Sequence, residues 1–103
     1  MELHHPDKNE IELPAVMHAL SDPTRLAIVR KLSEDSEPRP CGTLGFDVSK
    51  STMTHHFRTL REAGVIEQWR DGTHKFTLLR REDLDARFPG LLDAVLTATP
   101  TPA

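Results

Sequence analysis

Ser49 to Gly64 reads SKSTMTHHFRTLREAG, and nearly every residue in it has a helical role. Ser49 can accept from the orphan N–H groups of a helix start, and Gly64 can stop the helix in a left-handed conformation. Between them Met53, His56, Phe57 and Leu60 recur at three- and four-residue spacing, which predicts one inward stripe. The outward positions are Lys50, Ser51, Thr52, Thr54, His55 and Arg58, short hydroxyls and cations suited to base edges and phosphates. Ser51, Thr52, Thr54, His55 and His56 are mediocre helix formers where Ala, Glu or Lys would serve a plain surface better. Their concentration favours a functional reason over an ordinary capped helix.

Working outward, Val65 to Arg70 and His74 to Arg80 are apolar, aromatic and Thr-bearing runs joined through Asp71-Gly72-Thr73. Asp-Gly between such runs predicts two antiparallel strands. Upstream, Asp22-Pro23 marks the start of a helix, Asp22 as cap and Pro23 at the first position. It continues as TRLAIVRKL, with Leu26, Val29 and Leu32 on one face, Ile28 beside them, and Arg25, Arg30 and Lys31 turned toward water. Ile11 to Leu20 suits a short helix with Pro14 in its first turn. Ser33 to Pro40 reads as a loop. CGTLGFDV (41–48) leaves room for at most a short helix, with Leu44, Phe46 and Val48 as core candidates. REDLDARF can form one helical turn, and PGLLDAVL carries Leu91, Leu92, Val95 and Leu96 along one more short helix.

The resulting fold class is mainly α with a small β-hairpin: a helix-turn-helix followed by a two-stranded wing. Residues 1–10 read as an extension that orders only by docking, 11–97 as the domain, and 98–103 as a flexible tail. At 103 residues, 37% of them apolar, the chain supports one core and not two. No apolar run approaches the ~20 residues a bilayer requires, and MELHHPDKNE is too polar for a secretory signal. The expected location is the cytoplasm, with no membrane partner.

The net charge of −3 excludes a uniformly basic coat. Residues 50–81 nevertheless carry seven Lys and Arg against three Asp and Glu, while the rest of the chain carries six against thirteen. A cationic stripe on an acidic protein favours one docking face for phosphates. No Gly-rich phosphate loop, His-Glu-x-x-His or Gly-x-Ser-x-Gly motif is present, so an enzyme is not expected.

The stretches ALSDPTRLAIVRKL (19–32), SKSTMTHHFRTLREAGVI (49–66) and RDGTHKFTL (70–78) closely resemble the ArsR/SmtB-like family of winged-helix repressors, in order and spacing from about Val16 to Leu96. The resemblance implies a homodimer whose N- and C-terminal helices form the interface, here Ile11, Leu13, Val16, Leu91, Leu92, Val95 and Leu96. It implies that Lys50, Ser51, Thr52, Thr54 and His55, with Arg58 beside them, enter the major groove of a palindromic site in double-stranded DNA. It also places Arg70, Thr73, His74 and Lys75 of the hairpin near phosphates, and leaves His56 and Phe57 facing the core. The chain departs from the family in a first helix that looks shortened, with Gly45 inside it. The family's Cys-x-Cys and Asp/His metal-binding patterns are also absent.

The remaining candidates carry less. Cys41 between Pro40 and Gly42 is a possible redox site, although a free cysteine is more often a small buried hydrophobe. His4 and His5 with His18 have metal-ligating chemistry, but adjacent residues seldom converge on one ion, so neither metal nor cofactor is expected. Trp69 is expected to pack on the helices behind the hairpin. The reading is a dimeric, sequence-specific DNA-binding repressor whose effector the sequence does not identify. The rivals are a winged-helix protein-interaction module and a His- or Cys-based metal or redox sensor.

Overall fold

Capping chemistry sets the helices of the structure, a computed structural model that describes residues 4–34, 39–40 and 48–98. A 3-10 turn (Lys8–Glu10) is followed by α1 (Leu13–Ala19), α2 (Pro23–Ser33), β1 (Arg39–Pro40), α3 (Lys50–Glu62), β2 (Ile66–Asp71), β3 (His74–Leu79), α4 (Arg81–Arg87) and α5 (Leu91–Ala98). The Asp22 carboxylate accepts from the Arg25 N–H at 3.1 Å, and the Ser49 hydroxyl accepts from the Thr52 N–H at 3.2 Å. α1 begins at Leu13 rather than Ile11, with Pro14 in its first turn. The proline ring blocks a further turn toward the N-terminus. The expected short helix over 41–48, Cys41 included, falls almost wholly outside the described residues. Of its core candidates only Val48 is described, and it is 37% exposed, since it stands just before the open start of α3.

α3 ends in a double backbone latch. The Val65 N–H donates to Leu60 O and the Gly64 N–H to Arg61 O, each at 3.0 Å, with Gly64 at φ +87°. This is the Schellman arrangement. A Cβ on Gly64 would stand 2.6 Å from Ile11 Cγ1, so the glycine also permits a close approach by the chain that precedes α1.

β2 and β3 pair antiparallel from Ile66↔Leu79 to Asp71↔His74. Gly72 opens the two-residue turn at φ +66°, and among the described residues none other than glycine has positive φ. A positive angle at the first turn position is the sense that follows strand twist. The sheet has a third strand that the sequence reading treats as loop: β1 pairs β3 at Arg39↔Thr77 and Pro40↔Phe76, giving the order β1-β3-β2. A proline lacks a ladder donor and is tolerated on such an edge.

Strand alternation divides the ribbon. Ile66, Gln68, Thr77 and Leu79 are buried on one face. Trp69, one step from Gln68, points to the other and stacks on Phe76 with ring centroids 6.1 Å apart. The expectation that Trp69 packs on the helices is therefore corrected: strand phase puts it on the opposite side.

The core joins Ile28, Val29 and Leu32 of α2 to Phe57 and Leu60 of α3, Val65 and Ile66, and Leu84, Leu92 and Leu96 of the last two helices. Burying one such side chain contributes about 1.5–3 kcal/mol. Of the seven apolar residues expected between subunits, Ile11, Val16, Leu92 and Leu96 are instead within this core, at 8% exposure or less. Leu91 and Val95 are half-buried against it, and Leu13 is 44% exposed, as is its neighbour one turn on, Met17, at 53%.

Two further side chains depart from expectation. Arg25, read as solvent-facing, is 7% exposed, because the Ala19 and His18 carbonyls at the end of α1 accept from its guanidinium. Arg30 is half-buried, and its Nη1 donates to Leu96 O at 2.8 Å.

Residues 4–11 lie against the domain as a strap. Arg61 Nε donates to His4 O (3.3 Å), the Gln68 N–H to His5 Nε2 (2.9 Å), Arg80 Nη1 to Pro6 O (2.8 Å), and Arg87 Nη2 to Ile11 O (2.6 Å).

Candidate nucleic-acid interface

The 3.6-residue period of α3 sorts its side chains cleanly. His56, Phe57 and Leu60 are buried, whereas Lys50, Ser51, Thr52, Thr54, His55 and Arg58 are all exposed. Ser51, Thr54, His55 and Arg58 follow one another at i, i+3, i+4 and i+7, a single outward stripe. Their hydroxyls are not idle. Thr54 Oγ1 donates to Lys50 O at 2.9 Å and Ser49 Oγ to Thr52 Oγ1 at 2.8 Å, which leaves the oxygen lone pairs of Thr54 pointing outward as acceptors. Arg58 Nε meets Glu62 Oε2 at 3.4 Å with both side chains exposed, a pair worth little in water and readily exchanged for a phosphate.

The wing supplies two cations on one face. Arg70 and Lys75 are direct partners across the ladder, continuing the side of the ribbon that carries Gln68 and Thr77. His74 lies on the opposite face, its ring centroid 6.4 Å from that of Phe76, and exposed Thr73 sits in the turn. The hairpin thus brings Arg70 and Lys75 together and turns His74 away from them. Among the described residues no ion pair involves Lys50, Arg70 or Lys75.

Other cations counted in the basic segment are committed elsewhere. Arg80 holds Asp83 at 2.9 Å, and Arg81 holds Asp93 of α5 at 3.1 Å. Arg61 Nη1 donates to Gln68 Oε1 at 2.8 Å, and Gln68 Nε2 donates to Thr77 Oγ1 at 3.2 Å. This chain of bonds ties α3 to both strands of the wing through a buried glutamine, so helix and ribbon move as one surface. Sequence reasoning missed it; the only local signal is a Gln two residues after Ile66, in phase with the apolar face of the strand.

At the other end of α3 the Asp22 carboxyl is acted on by opposing influences. Burial pushes its pKa up, but the Arg25 N–H, the charge of His56 when its ring is protonated, the charge of Arg25 and the Thr24 N–H outweigh it and hold the carboxyl below its ordinary value. Among the described residues no group of three His, Cys, Asp or Glu side chains is placed to hold a metal ion, and no helix is long and apolar enough to cross a membrane.

An exposed polar helix stripe beside a cationic ribbon, both fixed to one core, defines a winged helix-turn-helix DNA-binding module. The model of a helix-turn-helix domain family matches residues 20–68. The chain is 37% identical over 82 residues to the uncharacterized HTH-type transcriptional regulator YceK of Bacillus subtilis, covering 78% of this chain and 82% of the relative. It is 31% identical over 62 residues to an HTH-type transcriptional regulator of Methanocaldococcus jannaschii, covering 59% of this chain and 70% of the relative. Among solved structures, an ArsR family transcriptional regulator superposes with TM-score 0.66 at 26% identity, over 80% of this chain and 90% of that one. The transcriptional repressor BigR of Xylella fastidiosa superposes with TM-score 0.65 at 25% identity, over 87% and 88% of the two chains. The chain belongs to the ArsR/SmtB-like family of winged helix-turn-helix transcriptional regulators. It is a DNA-binding regulator and not an enzyme.

Proposed function

We propose that this regulator is a repressor that binds a palindromic operator as a homodimer in the cytoplasm. α3 of each subunit enters the major groove, where Ser51, Thr52, Thr54 and His55 read base edges. Lys50, Arg58, Arg70 and Lys75 hold phosphates on either side, Thr73 approaches the backbone at the turn, and His74 acts from the outer face of the ribbon. The observation that carries this reading is the Arg70–Lys75 pair. Two like charges directly opposite on a ladder destabilise it by roughly 0.2–1 kcal/mol, a cost that an anion beside them reverses.

Repression is supported by similarity to BigR, a transcriptional repressor. A second copy is supported by Leu13 and Met17, adjacent on α1 and at 44% and 53% exposure, with Leu91 and Val95 half-buried on α5. Two-fold symmetry then sets recognition helices about 34 Å apart and requires an inverted repeat.

The test is selection of bound sequences from a random duplex pool by the purified chain. An enriched inverted repeat with half-sites about one turn, ~10 base pairs, apart is the expected result. Enrichment of no sequence, with binding that merely follows salt, contradicts it.

A further inference from the structure

We propose that Arg25 and His56 are positioning residues for DNA recognition, a joint that sets α3 against the rest of the fold and holds only while His56 is neutral. The inference rests on the DNA-binding role of α3. Neither residue belongs to the outward stripe: Arg25 is 7% exposed and His56 8%.

One guanidinium connects three helices. From α2, Arg25 Nε donates to Ala19 O at 2.6 Å and Nη2 to His18 O at 3.3 Å, both carbonyls at the open end of α1. Its Nη1 lies 3.3 Å from His56 Nδ1 on α3. Arginine has five donors and no acceptor, so this contact exists only when Nδ1 is unprotonated and the ring proton is on Nε2. The planar fork fits three acceptors in three directions, which a lysine ammonium cannot reproduce in the same geometry.

Protonation of Nδ1 removes the acceptor and sets a second cation 3.3 Å from the first. The titratable groups at the joint are Asp22 and Arg25 from α2, His18 at the end of α1, and His55 on α3, whose ring centroid is 6.0 Å from that of His56. Asp22 Oδ2 stands 4.0 Å from Nδ1 with its side chain 33% exposed and already accepts from the Arg25 N–H. It therefore screens the new charge without replacing the lost bond. Because His56 is on α3 itself, loss of the bond lowers the fraction of molecules whose α3 is in the DNA-competent orientation, and apparent affinity falls by that fraction.

The experiment has two arms. In the free protein, NMR titration from pH 8 to 5 follows the His56 ring and the α3 backbone amides. The expected result is that amides of the first two turns of α3 shift together with His56; a His56 that titrates while those amides stay still overturns the proposal. In the second arm, binding to the selected duplex is measured at pH 8 and pH 5.5 for the wild type, His56→Asn and His56→Leu. Asn offers an oxygen near the Nδ1 position and does not titrate. The expected result is near-equal affinity for His56→Asn and wild type at pH 8, and at pH 5.5 a wild type about five- to tenfold weaker than His56→Asn. Protonation of His55 and His74 is common to both and cancels in this ratio. His56→Leu is expected to be weaker at both pH values with the slope of affinity against salt unchanged, since no phosphate contact is removed. A wild-type to His56→Asn ratio that is the same at both pH values overturns the proposal. Failure of the wild type to bind any duplex overturns the DNA reading alone, and the NMR arm still decides the joint.

Discussion

Arg70 and Lys75 face each other across the β2–β3 ladder on the side of the ribbon that also carries buried Gln68 and Thr77. Gln68 in turn accepts from Arg61 of α3, so the two cations stand at a fixed offset from the recognition helix. Replacing Lys75 with Glu converts repulsion into attraction across the ladder. Lys75→Glu is therefore expected to stabilise the free protein by roughly 0.2–1 kcal/mol in thermal or urea unfolding while weakening every duplex alike. Lys75→Ala is expected to lower the salt slope of binding by about one unit. A Lys75 variant that loses discrimination among sequences, rather than affinity for all of them, contradicts this assignment.

Gly64 is a second point where geometry dictates an outcome. Gly64→Ala meets both φ +87° and a Cβ 2.6 Å from Ile11 Cγ1, so it is expected to destabilise the fold by about 1–3 kcal/mol. Ile11→Ala removes a core side chain, at about 2–5 kcal/mol, but also the atoms that clash. The double variant is expected to lose less than the two single losses together, a coupling that a double-mutant cycle in denaturant unfolding reads directly. Strict additivity would mean that the close approach is not what the glycine serves.

Asp22 predicts a pH dependence of known sign. Its carboxyl is held below the ordinary value, since the Arg25 N–H and the neighbouring positive charges outweigh burial. The folded chain therefore binds its proton less readily than the unfolded chain. The stability this contributes is present above the unfolded value, about 3.9, and is lost as pH falls through the lower folded value. Asp22→Asn, which keeps a cap, is expected to flatten that part of the stability profile. Asp22→Ala is expected to cost about 0.5–2 kcal/mol at neutral pH. An acid limb unchanged in Asp22→Asn counts against the assignment.

What the sequence made legible and what it hid divide by distance along the chain. Ser49, Asp22, Gly64 and Gly72 act on backbone groups within a few residues, so α2, α3 and the hairpin follow from local chemistry. The inward stripe of His56, Phe57 and Leu60 follows from helical period alone. Arg25 looked solvent-facing because nothing in TRLAIVRKL shows that the end of α1 folds back over it. The strap, with His5 and Pro6 bonded to Gln68 and Arg80, depends on partners more than fifty residues away. Trp69 was misplaced by a one-step phase that only the pairing Trp69↔Phe76 fixes. Ile11, Val16, Leu92 and Leu96 are apolar in a way that suits a subunit interface and a protomer core equally, and only packing distinguishes them.

Exposed Leu13 and Met17 make the proposed assembly testable. Leu13→Glu with Met17→Glu places two carboxylates where a partner helix would bury apolar surface. Sedimentation equilibrium is expected to show a dimer for the wild type at micromolar concentration and a monomer for the double variant, with its circular dichroism unchanged. A wild type that sediments as a monomer contradicts the proposed homodimer, and a variant that remains dimeric moves the interface elsewhere.

The most direct measurement is the ratio of affinities for the selected duplex and a shuffled one at fixed salt, for the wild type and for Thr54→Ala and His55→Ala. The account predicts a wild-type ratio of about a thousandfold or more. It predicts that each variant loses roughly 1–3 kcal/mol of that discrimination while its salt slope stays the same. A wild-type ratio near one, or variants that weaken both duplexes equally, would contradict the claim that the outward stripe of α3 reads sequence.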